Sequence, residues 1–168
     1  MTILSASLLA LFVWWFSTGA ILWVVKTADK KDAGAGLRAT LWGLPMLALG
    51  IAGFWTTLPD TTVFGACVAF LSALCIWGWI ELAFLTGVIT GPNTYRLPDN
   101  TPEWERFVRA WGTLAYHEML LVGTLISLAL ISEGYANIFG VWTFAVLFFA
   151  RLSAKLNLYL GVPKINVD

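Results

Sequence analysis

The residues of this chain that could do chemistry are few, and they sit where such residues are rare. The stretch AYHEMLL, Ala115 to Leu121, places the single histidine, His117, beside a carboxylate, Glu118, inside a long apolar run. Comparable runs hold Glu81, in WGWIELAFL, and Arg151 and Lys155, in ARLSAKLNL. Arg151 and Lys155 are four residues apart and share one face of a helix. Asn157 and Tyr116 lie near enough in sequence to add hydrogen bonds. Charges in apolar surroundings are costly and normally turn toward one another or toward a bundle interior.

Four kinds of chemistry fit these residue types. Two carboxylates, an arginine, a lysine and a histidine can neutralise one another as a structural network. This is the reading the residues favour, because an unpaired buried charge is strongly unfavourable. Alternatively, His117 can ligate the central metal of a chlorin pigment, with Gly112 and Thr113 small enough to clear a flat face. A third reading is proton relay or acid–base chemistry by His117 and the two glutamates, whose proximity would perturb their ionisation. Lastly, Glu81, His117 and Glu118 are ligand types that hold metals, but a compensating Arg151 argues against it and no metal site is assigned. No residue is assigned a catalytic role.

These groups need elements to position them, and composition says which. The chain is 168 residues long, 59% hydrophobic and only 12% charged, against about a quarter charged in soluble domains. The segment from Ile3 to Val25 contains no Asp, Glu, Lys or Arg. It is too long for a signal-peptide core and lacks a basic leader, so it reads as a retained anchor. About 20 residues at a rise of ~1.5 Å cross a hydrocarbon core of roughly 30 Å. The chain therefore reads as an all-α, polytopic transmembrane bundle forming a single domain over residues 1–168. Five helices are expected, at about 3–25, 39–58, 62–90, 110–132 and 137–160. Net charge is zero, which gives no reason to expect nucleic acid. Cys67 and Cys75 read as small packing residues.

Basic residues set the expected orientation. Lys26, Lys30, Lys31 and Arg38 fall in the first loop, Arg96, Arg106 and Arg109 in the third, and Lys164 in the tail. Loops two and four offer only Asp60 and Glu133. The positive-inside rule then puts the N-terminus in the periplasm and the C-terminus in the cytoplasm. Trp23 and Trp42 near one boundary, and Trp55 and Trp142 near the other, fit an aromatic belt. Gly65, Ala69 and Ala73 form a small-residue stripe suited to close helix packing. The sequence NTPEWERFVRAW predicts a short cytoplasmic surface helix over about 102–109, capped by Asn100 or Thr101, with Pro102 in the first turn and a Glu105–Arg109 pair. Such a helix is either a solvated connector or a docking surface for a cytoplasmic partner. Counted from the inner boundary, Glu81, His117, Glu118 and Arg151 all lie roughly 12–15 Å deep, so one interhelical layer can contain them.

Four blocks, FVWWFSTGAILWVV, WGWIELAFLTGVITGP, EWERFVRAWGTLAYHE and ARLSAKLNLYLGVPKIN, resemble the photosynthetic complex assembly (PuhE-like) family of purple bacteria, encoded beside the reaction-centre H subunit. The resemblance runs along essentially the whole chain, and the blocks contain Glu81, His117, Glu118, Arg151, Lys155 and Asn157. It implies a non-enzymatic membrane assembly factor or accessory subunit, located in the bacterial inner (intracytoplasmic) membrane. The implied partners are reaction-centre and light-harvesting 1 subunits and membrane lipids. Bacteriochlorophyll, carotenoid and lipid are the cofactor classes left open. A bacteriochlorophyll-binding or delivery protein using His117, and a membrane enzyme or proton-coupled transporter, are the alternatives. Family members continue past GVPKINVD with more hydrophobic sequence, so a C-terminal continuation of this chain is expected.

Overall fold

A computed structural model describes residues 3–32, 34–93, 95 and 101–161. Arg96, Asn100 and Lys164, named above, lie outside them. The described residues form seven helices and no strand: α1 Ile3–Asp29, α2 Ala35–Trp42, α3 Leu44–Thr57, α4 Val63–Leu85, α5 Glu103–Gly112, α6 Ala115–Ile131 and α7 Phe139–Gly161. Four helical stretches are long and apolar enough to cross a membrane, and five if α5 and α6 make one bent span. The all-α expectation holds, while several boundaries move for local reasons.

The second run starts earlier than expected and is interrupted at Gly43, just ahead of Pro45 in the first turn of α3. Proline has no N–H to give and its ring crowds the preceding turn, so the helix restarts there. The third run stops at Leu85 rather than continuing to residue 90. Gly87 takes φ of 76°, its N–H reaches the Phe84 carbonyl at 2.9 Å, and the Val88 N–H reaches that of Ala83 at 2.9 Å. This pair of bonds is the Schellman ending that a left-handed glycine permits. The fourth run does not continue straight from the surface helix. α5 extends to Gly112 and then bends by 67° into α6. At its start Pro102 is the N-cap and no side chain caps the helix.

α4 is the centre of the bundle, packed along α3 and α7 and also touching α1, α2 and α6. Its Ala69 and Ala73 are buried, with Ile76 and Ile80, against Phe54, Leu121 and Phe144. Close approach depends on small residues. A Cβ on Gly53 would meet Ser72 Oγ at 2.3 Å, and one on Gly140 would meet the Phe54 ring at 2.8 Å. Around this centre the outer faces stay apolar and exposed, including Trp15, Trp23, Trp42, Trp55 and Trp142. Cys67 and Cys75 are free thiols.

The α3–α4 and α6–α7 turns are tied together by Asn137. Its side-chain NH2 donates to the carbonyls of Thr57 at 3.0 Å and Asp60 at 2.8 Å. Its backbone N–H donates to the Leu58 carbonyl at 3.1 Å, and its Oδ1 accepts from the Phe139 N–H at 3.1 Å. In the sequence Asn137 marks no more than the expected start of the fifth helix.

Candidate functional site

The charged groups of the layer arrive from three helices that meet at one junction. α4 supplies Glu81, α6 supplies His117 and Glu118, and α7 supplies Arg151 and Lys155. The structure brings these five together. The Arg151 guanidinium donates to Glu81 Oε2, and the Lys155 ammonium donates to Glu118 Oε1. His117 lies between the two pairs: its Nε2 is 3.7 Å from Glu81 Oε1 and its Nδ1 is 3.7 Å from Glu118 Oε1. Both separations exceed the roughly 3.2 Å limit of a good hydrogen bond. A shift of about half an ångström would make either bond, and a neutral imidazole has one N–H to offer. Two anions face two cations, so the layer balances when the imidazole is uncharged.

Burial separates the groups. His117 is 0% exposed, and Glu81 is buried as well. The side chains of Arg151 and Lys155 keep part of their surface at the edge of the seam. Glu81 Oε1, both His117 ring nitrogens and Arg151 Nε are buried without a hydrogen-bond partner. Phe84, one turn after Glu81, closes the remaining side. Its ring centroid lies 4.3 Å from that of His117, and the Arg151 Cζ sits 5.0 Å above the Phe84 ring, a cation–π contact. Phe84 is not among the residues that stand out in the sequence, although its i, i+3 relation to Glu81 places it on the same face.

The loop after α4 fixes where α6 begins. The His117 N–H donates to the Thr90 carbonyl at 3.1 Å, and the Asn93 N–H donates to the Gly112 carbonyl at 3.2 Å. The Asn93 side chain donates to the Arg109 carbonyl at 3.0 Å. These bonds satisfy helix-end groups exposed by the α5–α6 bend. A Cβ on Gly91 would lie 2.1 Å from the Gly112 carbonyl oxygen, so only glycine lets the loop enter. No spacing rule marked Thr90 or Asn93.

Two expected members do not join. Asn157 is exposed on α7, and Tyr116 is exposed on α6. Asn157 is two residues from Lys155, and Tyr116 two from Glu118. Residues two apart on a helix face nearly opposite ways. The arrangement also leaves His117 no free nitrogen face for a flat macrocycle, because Phe84 covers the ring and a carboxylate faces each nitrogen. Among the described residues, no group of His, Cys, Asp and Glu is arranged to hold a metal. Two clefts lie elsewhere. One of about 510 Å³ is lined by Asp29, Lys31, Gly36 and Thr86, and one of about 210 Å³ by Asp60, Thr62, Asn137 and Trp142. Neither reaches the charged layer.

The chain belongs to a family described as a protein of unknown function (DUF3623), whose model matches residues 1–168. It is 52% identical over 162 residues to a Rhodobacter capsulatus protein described as an uncharacterized 30.4 kDa protein in the puhA 5′ region. That match covers 96% of this chain and 59% of the relative's length. No solved structure matches the chain.

Proposed function

We propose that this chain acts as a membrane-embedded assembly factor or accessory subunit of the bacterial photosynthetic reaction centre–light-harvesting 1 complex, without catalysing a reaction. The observation that carries the reading is its kinship with a protein named for the puhA 5′ region, in line with its resemblance to a family encoded beside the reaction-centre H subunit. The shape of the molecule suits the role. α4 is sheathed by other helices, whereas α1, α6 and α7 turn large apolar side chains outward, where neighbouring membrane helices and pigments can lie. The charged layer serves in this reading as an internal lock that sets how α4, α6 and α7 meet. Its close packing favours a lock over a transport path or an active site: His117 is fully buried, Phe84 lies against its ring and both carboxylates are held by cations.

Deleting the gene in a phototrophic host and measuring near-infrared absorption of assembled core complex tests the proposal. A marked loss is expected; normal amounts under every growth condition reject it. Purification in mild detergent adds a second check. Scaffolding predicts antenna or reaction-centre subunits carried along by the protein. Bound pigment that vanishes in His117→Leu would instead support ligation by that histidine.

A further inference from the structure

We propose that α5 is an interfacial helix, lying in the headgroup region of the bilayer with one face sunk into the acyl boundary. The partner is a phospholipid surface rather than a soluble protein. Four observations support it. At 100° per residue, Trp104, Phe107, Val108 and Trp111 fall within one narrow arc, while Glu105, Arg106 and Arg109 fall on the other side. Three members of that arc face away from the bundle: Trp104, Val108 and Trp111 are 74, 45 and 55% exposed. Trp104 and Phe107 stack on each other at 5.8 Å between ring centroids, forming a flat apolar plate. The polar side is internally paired, with Arg109 Nε and Nη2 donating to Glu105 Oε1 at 2.9 and 2.8 Å.

Direction and position decide what covers the plate. α5 is joined to α6 through a bend of 67°. Spanning helices tilt by about 20° on average, so with α6 crossing the bilayer, α5 lies nearer the membrane plane than its normal. α6 has 17 residues, or about 26 Å at ~1.5 Å per residue, the short limit for a spanning helix, so its α5 end lies at the bilayer boundary rather than beyond it. The bend is held by the Asn93 and Thr90 bonds to Arg109, Gly112 and His117, so α5 enters the interface at a set angle. Tryptophan-rich faces opposite arginines are the pattern of helices that lie in that zone. A solvated connector would have no use for the plate.

The inference rests on the membrane reading of α6, and the test separates the two. Nitroxide labels are placed by Trp104→Cys, Val108→Cys, Arg106→Cys and Ile126→Cys, in a background with Cys67→Ala and Cys75→Ala. The full chain is reconstituted in phosphatidylcholine–phosphatidylglycerol bilayers, and label relaxation by oxygen and by a water-soluble nickel chelate is compared. Ile126 is exposed on α6 and should report lipid; a watery Ile126 would sink the membrane reading itself. With Ile126 in lipid, labels at Trp104 and Val108 should show a several-fold higher oxygen-to-nickel ratio than the label at Arg106. Equal, nickel-accessible behaviour at all three α5 positions overturns the proposal in favour of a water-exposed connector. Labels at Trp104 and Val108 shielded from both reagents overturn it in favour of a protein contact.

Discussion

The Asn137 turn and the Glu81–His117 layer both tie distant helices through polar side chains, yet they satisfy those side chains differently. At the turn, every polar atom of the Asn137 side chain has a backbone partner between 2.8 and 3.1 Å. In the layer, two ion pairs form while Glu81 Oε1, Arg151 Nε and both imidazole nitrogens go unbonded. A neutral amide gripping carbonyls admits one geometry. A set of opposed charges holds by balance and tolerates imperfect hydrogen bonds. The turn therefore fixes distances between loops, and the layer fixes which helix faces meet.

Removing one member of the charged layer should have the largest effect. Arg151→Leu strands the Glu81 carboxylate, and breaking a buried pair one-sidedly costs on the order of 3 kcal/mol. Accumulation in membranes and thermal stability in detergent should both fall sharply; wild-type values would contradict the pairing. The double variant Glu81→Leu/Arg151→Leu sharpens this, since it removes both charges and should recover most of the loss. Failure to recover would locate the role of Arg151 outside that pair.

Next in size is Asn137→Leu. It leaves the Asp60 carbonyl and the Phe139 N–H without their partner and takes one of two donors from the Thr57 carbonyl, a cost of about 2 kcal/mol. Its melting curve should sit between those of wild type and Arg151→Leu. A larger loss than for Arg151→Leu would reverse the ranking of the two knots. His117→Phe should be milder still, within about 1 kcal/mol, because the imidazole makes no side-chain hydrogen bond to lose and a similar apolar ring can fill the space. Collapse of that variant would mean that His117 carries charge in the balance.

The smallest effect belongs to an exposed ion pair outside the layer. The Arg38 guanidinium donates to both Asp32 oxygens at 2.9 and 2.7 Å. That bond, helped by the Gly34 N–H, holds the Asp32 carboxyl below the ordinary carboxylate range. A depressed carboxylate contributes stability above its ordinary range and loses it as pH falls through the lowered value. Exposure and salt screen such a pair, so Arg38→Ala should leave the melting temperature near neutral pH essentially unchanged. A clear drop there would show that this pair is coupled to the bundle.

What the sequence revealed follows from which signals are local. Long apolar runs announce spans because lipid permits few alternatives to a helix. Glu81, His117, Glu118, Arg151 and Lys155 could be grouped because charges stand out in such runs and helical rise converts position into depth. Face is harder than depth. Asn157 and Tyr116 had the right level and the wrong angle, which spacing from Lys155 and Glu118 would have revealed. The α5–α6 bend was illegible because its cause is distant: Thr90, Gly91 and Asn93 reach it from another loop. Phe84 and Asn137 were hidden by ordinariness, one an aromatic among many, the other a polar residue where a helix was expected to start.

Gly91 has one more implication. There bare backbone meets bare backbone, the segment after α4 lying directly against the corner before His117. The neighbouring Thr90 carbonyl accepts the His117 N–H at 3.1 Å, so main-chain contacts link the α5 corner to the first turn of α6. A side chain at that position would have to push the two backbones apart, and so would disturb the α5 corner and the start of α6 together.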